Sequence, residues 1–128
     1  MKLEHLALNL PDPDAFSRWY VQHVGMKLVR SSPPPMNGRF LADASGAVML
    51  EVYQNAAAPV PDYAAQNPLT LHVAFIAADV PAEAARLQAA GATLHDGPTT
   101  TPDGDVVCML RDPWGVGLQL VQRANRMV

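Results

Sequence analysis

The chain contains one cysteine, Cys108, so no disulfide can form within it. No apolar run approaches the ~18 residues that a membrane-spanning helix needs. The start, MKLEHLALNLPDPD, lacks the character of a secretory leader, because Glu4 and His5 interrupt its apolar run. The nine Lys and Arg form no cluster and the net charge is −3, which argues against a nucleic-acid partner. A Gly-rich phosphate loop is missing, and no Ser or Cys sits in a nucleophile motif. Nucleotide-dependent and acyl-transfer chemistry therefore have no support. A soluble cytoplasmic protein with no membrane partner is expected.

What is present is a globular composition: 49% of the 128 residues are hydrophobic and 16% charged. A chain of this length buries roughly two-thirds of its unfolded surface and can hold a core without disulfides or a structural metal. One domain spanning 1–128 is expected.

Within that domain one unit occurs twice. In the first half the alternating segment 2–10 leads into PDPDAFSRWYVQHVG, whose early acids and closing Gly25 are helix start and stop signals. Phe16, Trp19, Tyr20 and Val24 fall at helical spacing and give a stripe able to lie on a sheet. Strand-like runs follow at about 26–31, 39–43 and 47–53. The second half repeats the order: TLHVAFIAA, then ADVPAEAARLQAAG with Pro81 near its first turn and Gly91 past its end, then ATLHDG, DVVCMLRD and VGLQLVQR. The constant order with small drift in spacing indicates duplication. The expected fold is α+β: two tandem βαβββ modules, at about 1–54 and 69–124, joined by a linker at about 55–68. Together they would form a cupped, mostly antiparallel sheet with helices on its convex side.

Four polar residues interrupt the apolar strand patterns at matching places: His5, Glu51, His72 and Gln119. His5 and His72 lie 67 residues apart, Glu51 and Gln119 68 apart. Because side chains alternate along a strand, Leu6, Leu8 and Leu10 share one face and His5 the other. His72, Glu51 and Gln119 likewise oppose the bulky faces of their strands. Two imidazoles, a carboxylate and an amide projecting from the face away from the helices are what a divalent metal site needs.

The whole chain resembles the vicinal oxygen chelate superfamily, which includes glyoxalase I, extradiol dioxygenases and bleomycin- and fosfomycin-resistance proteins. The resemblance is carried by LHVAFIAADVPAEAARLQAAGATL and by TPDGDVVCMLRDPWGVGLQLVQR, with its DP-x-G turn before the last strand. It implies metal ligands on the first and last strand of each module, here His5, Glu51, His72 and Gln119, and a homodimer. The last position is usually Glu in that family. Gln119 can offer a weak oxygen ligand but cannot take a proton, which leaves Glu51 as the catalytic carboxylate of a two-His, one-carboxylate set. One divalent ion per site (Ni, Zn, Mn or Fe) is expected.

Tyr53, Arg39, Arg111 and Trp114 are candidate contacts for a small-molecule substrate. Cys108 reads as a buried small hydrophobe, and His23 and His95 as surface residues. The leading function is a metal-dependent enzyme carrying out isomerase-, epimerase- or lyase-like chemistry on a small oxygenated metabolite. The alternatives are a metal-free small-molecule binding protein of the bleomycin-resistance kind and, with iron, an extradiol-type dioxygenase.

Overall fold

The computed structural model describes residues 1–127 and divides the chain into two compact units, Met1–Pro61 and the remainder from Asp62. Each unit is built by the same rules.

In the first unit, strand β1 (His5–Asn9) is followed by helix α1 (Pro13–Trp19) and then by β2 (Lys27–Ser31), β3 (Arg39–Ala42) and β4 (Met49–Tyr53). Helix α1 starts where Asp12 caps it, its Oδ1 accepting from the Ala15 N–H at 2.9 Å, with Pro13 in the first turn. The chain continues through a π-helical turn, Tyr20–Val24, and stops at Gly25 with φ +83°. Within this helical segment, Phe16 and Tyr20 stack with ring centroids 4.1 Å apart and are fully buried. They cover a sheet face formed by Leu8, Leu41, Leu50 and Val52, all buried. Val24, expected on the same stripe, is only half-buried. Phe16→Ala is expected to cost about 3–5 kcal/mol, from lost burial plus the cavity left behind. Urea denaturation would show this as a lower midpoint with an unchanged slope.

The sheet order is β1-β4-β3-β2, with β1 parallel to β4 and the other pairs antiparallel. This order puts the two strands bearing His5 and Glu51 side by side.

The second unit repeats the pattern with β5 (His72–Ile76), α2 (Val80–Ala89), β6 (Thr93–Thr100), β7 (Val106–Arg111) and β8 (Gly117–Gln122). Asp79 caps α2 through the Ala82 N–H at 3.0 Å. Val80, Ala84 and Leu87, one helical face, are buried. The order β5-β8-β7-β6, with β5 parallel to β8, matches the first sheet strand for strand. The expected βαβββ duplication is therefore present, as two mixed four-stranded sheets. Strand β6 runs on to Thr100, beyond the expected ATLHDG.

The turns before the last strands also correspond. In each, a Gly N–H returns to an Asp carbonyl three residues back: Gly46 to Asp43 at 3.1 Å and Gly115 to Asp112 at 2.9 Å. Gly115 has φ +84°, and an added Cβ would lie 2.7 Å from the Ala64 backbone nitrogen, so only glycine fits there. The linker is tied at each end to its own unit. Asn9 donates to the Asn55 and Ala58 carbonyls, while Arg111 donates to those of Tyr63 and Gln66.

Candidate functional site

Strand register decides which side chains share the open face of each sheet. In the first unit His5 pairs with Met49 and Ala7 with Glu51, so the two donors project from the same side of neighbouring strands. His5 Nε2 lies 3.3 Å from Glu51 Oε2. On its other edge the ring donates Nδ1–H to Glu4 Oε2 at 2.8 Å. Phe40 sits edge-on to the imidazole, centroids 5.8 Å apart, and fixes its plane.

His72 is oriented in the same manner by different means. Its Nδ1 is 2.8 Å from the Pro68 carbonyl. A carbonyl only accepts, so Nδ1 carries a proton and Nε2 is the ring nitrogen not engaged by Pro68. Ala74 pairs with Gln119, which places His72 and Gln119 on one face of β5 and β8.

Both histidines have Nδ1 engaged by an oxygen, as metal-binding imidazoles commonly do, while His5 Nε2 faces the Glu51 carboxylate. Each unit thus carries an imidazole beside an oxygen donor, a carboxylate in the first and an amide in the second, residue types suited to divalent first-row ions. Among the described residues no group of three or more His, Cys, Asp or Glu side chains is gathered to hold an ion. Within each unit the donors stand as a pair, His5 with Glu51 and His72 with Gln119. Glu4 escaped sequence reasoning, although its position beside His5 was the available signal.

Across the sheets the register produces two matching rows. In the first unit Arg30, Phe40, Glu51 and Ala7 are successive partners. In the second they are Asp96, Met109, Gln119 and Ala74. Both edge strands carry a register shift at the same place, Leu28/Arg30 in β2 and Leu94/Asp96 in β6. The duplicated unit thus keeps its bulge but reverses its rim charge. Arg30 lies over the Phe40 ring, 5.9 Å from its centroid.

The expected substrate contacts take varied places. Tyr53 is half-buried on the Glu51 face of β4. Arg39 pairs in register with Val52, on the helix side of the sheet, and its guanidinium is engaged by Asp14 of α1 and the Ser32 and Gly38 carbonyls. Arg111 is on the Gln119 face, but its three hydrogen bonds go to the carbonyls of Tyr63, Gln66 and Gly115. Trp114 lies in the turn, its N–H donated to Asp112. Cys108 pairs with Leu120 on the helix side and is buried. Burial pushes its thiol pKa up, and the charge of Asp96 adds to the effect, so the thiolate nucleophile is suppressed near neutral pH.

A cavity of about 390 Å³ opens in the second unit, with Asn67, His95, Asp96, Val107, Met109 and Gln119 in its wall. His95, exposed as expected, borders the same space as Gln119.

Paired βαβββ modules carrying donors on the first and last strand of each define a class of scaffold rather than one reaction. The chain belongs to the Glyoxalase/Bleomycin resistance protein/Dioxygenase superfamily, whose family model matches residues 2–120. Among curated proteins no sequence matches it significantly. Its fold is similar to that of TnmS3, an antibiotic-binding protein from Streptomyces sp. CB03234, at 23% identity and TM-score 0.75, with 97% of each chain covered. It is also similar to a glyoxalase/bleomycin resistance protein from the same Streptomyces, at 24% identity and TM-score 0.69, covering 94% of this chain and all of that one. Glyoxalase I from Zea mays shares 24% identity at TM-score 0.78, over 97% of this chain and 45% of that chain.

Proposed function

We propose that the protein is a divalent-metal-dependent enzyme acting on a small oxygenated metabolite by isomerase-, epimerase- or lyase-like chemistry. The observation that carries this reading is the pair of pre-oriented imidazoles. His5 and His72 each have Nδ1 committed to an oxygen, and His5 Nε2 is turned onto the Glu51 carboxylate. Isolated strand histidines need no such arrangement, and its repetition in both modules supports a shared ligand.

His5, Glu51 and His72 would be the principal ligands, with the Gln119 amide oxygen as a weaker fourth. When bound, a divalent ion supplies Lewis-acid polarisation of substrate oxygens. Glu51 is the only carboxylate in the set, so proton transfer falls to it, through whichever oxygen the ion leaves free. Gln119 can position a substrate hydroxyl or carbonyl but cannot exchange a proton. Tyr53, on the Glu51 face, would line the substrate's path. With iron, the same two-His, one-carboxylate set would suit dioxygenase chemistry. The assembly would be a homodimer, which sedimentation equilibrium would establish.

Titration of chelator-stripped protein with Zn²⁺, Ni²⁺ and Mn²⁺ tests this. Glu51→Ala is expected to weaken binding on the order of 100-fold, and Glu4→Ala roughly 10-fold, as loss of an outer-sphere partner does. Undiminished metal affinity in Glu51→Ala would remove the carboxylate from the set and the proton-transfer role with it.

The second reading is a metal-free binding protein. The cavity beside Gln119 favours it, since about 390 Å³ is within the range of small-molecule sites. Protein that takes up no ion under any of these titrations would decide for it.

A further inference from the structure

The first sheet carries a cation in a place that strand alternation alone would not give it. Strand β2 opens against β3 with Lys27 opposite Ala42 and Leu28 opposite Leu41, which is buried on the helix side. Continued without interruption, that register would set Val29 against Phe40 and Arg30 against Arg39, turning Arg30 to the helix side as well. The bulge between Leu28 and Arg30 moves the pairing on by one residue, so Arg30 meets Phe40 and Ser31 meets Arg39. One extra residue thus brings a cation to the open face and keeps it apart from the Arg39 guanidinium. The second unit retains the bulge in β6 but has Asp96 at the matching position. The bulge belongs to the duplicated plan; the arginine belongs to this unit.

On that face Arg30 is held by a ring and by no oxygen. Its Cζ lies 5.9 Å from the Phe40 centroid. Among the described residues no carboxylate or carbonyl accepts a hydrogen bond from it or pairs with it. Arg39, Arg86, Arg111 and Arg123 each have such a partner. Phe40 also meets His5 edge-on, centroids 5.8 Å apart. The same ring therefore stands between unused guanidinium donors and the His5–Glu51 pair, in which the carboxylate faces the imidazole at 3.3 Å. Strands β2 and β4 are two spacings apart, about 10 Å. A planar guanidinium fork with free N–H groups matches a carboxylate.

We propose that Arg30 sets the substrate class of this site: a small keto or hydroxy acid. Its carboxylate lies on Arg30, and its oxygenated carbon reaches His5 and Glu51 across the Phe40 ring. This assignment rests on the reading of His5 and Glu51 as reacting-site residues given above, but it needs no bound ion.

Levulinate and its methyl ester differ in that charge and serve as the probes. Each is titrated by amide NMR into chelator-treated protein and into protein loaded with Zn²⁺. Levulinate is expected to shift the amides of Arg30, Phe40 and Glu51 and to bind roughly tenfold more tightly than the ester, the scale of one charge-assisted hydrogen bond. Arg30→Gln should erase the preference. Arg30→Lys should restore part of it, since an ammonium keeps the charge without the fork. Neither variant should change the ester's affinity or the melting temperature, because Arg30 is exposed on an edge strand. Salt at about 1 M should shrink the preference by screening. Equal binding of acid and ester overturns the proposal. So do a preference that survives Arg30→Gln, shifts centred outside this row, or no binding by either probe. If Glu51→Ala leaves metal affinity intact while Arg30→Gln erases the levulinate preference, the metal reading fails and the carboxylate site stands. The opposite pair of results removes Arg30 and leaves the metal reading in place.

Discussion

On the metal reading proposed above, wild-type protein is expected to retain a divalent metal, and protein carrying His5→Ala and His72→Ala together to be purified essentially free of it. Each imidazole presents Nε2 because its Nδ1 proton is already donated, to Glu4 in one module and to the Pro68 carbonyl in the other. Outer partners of this kind are worth about 10- to 100-fold in metal affinity. Removing both rings themselves should therefore exceed the larger figure. Only Glu51 and Gln119 would remain, and a single carboxylate with a neutral amide is a poor competitor against water for a divalent ion. The fold should not suffer comparably. His5 and His72 are only part-buried strand residues, and the largest buried side chains, such as Phe16, Tyr20, Leu41 and Leu118, lie with the helices or on the opposite sheet faces. Melting of chelator-treated wild type and double mutant should therefore agree to within about 1 kcal/mol. Elemental analysis of tag-free protein purified without chelator is the measurement. Metal retained in the double mutant would show that the ion, if any, sits elsewhere. Because ligands must shed protons to bind, wild-type affinity should weaken as the pH is lowered.

The second large effect is structural. Arg111→Met is expected to destabilise the protein by about 2–4 kcal/mol, lowering the melting temperature by roughly 10 °C. The methionine keeps most of the stem but removes three hydrogen bonds from a charged donor, to Tyr63 at 2.8 Å, Gly115 at 2.9 Å and Gln66 at 2.7 Å. These bonds hold the 62–66 segment against the last turn, where Gly115 already leaves no room beside Ala64. Hydrogen exchange should accelerate in that segment first. Arg111→Lys should rescue little, since one ammonium cannot span three carbonyls fixed around a planar fork. An unchanged melting temperature with lost ligand binding would return Arg111 to the substrate-recognition role that its sequence position first suggested.

Most of the element order was legible because it rests on local chemistry. Asp12 and Asp79 announce helix starts, Gly25 and Gly91 their ends, and alternation within LEHLALNL and GLQLVQ separates a bulky face from a polar one. The repeat added what no single segment could, by giving His5 a counterpart in His72 and Glu51 one in Gln119. Residues that depend on pairing across strands were not legible. Arg39 and Phe40 are adjacent in sequence, and only the register of β3 on β4 puts Phe40 beside Glu51 and Arg39 against Val52. His95 and Asp96 read as consecutive residues of an edge strand that should point opposite ways. The bulge that brings both to one cavity is a property of two strands together. Arg30, at the corresponding bulge of β2, was passed over for the same reason.

By itself, then, the sequence determined the duplicated βαβββ plan, the helices that cover each sheet and the matching strand positions of His5, Glu51, His72 and Gln119, because propensity, capping and periodicity are encoded within a few neighbouring residues. Only the tertiary structure decided which nitrogen each histidine presents, which arginines are engaged by carboxylates or carbonyls, and which side chains border the second unit's cavity. Those depend on partners such as Pro68, Asp14, Gln66 and Met109, whose positions strand register and loop closure fix. Nothing within a residue's own stretch of chain records them.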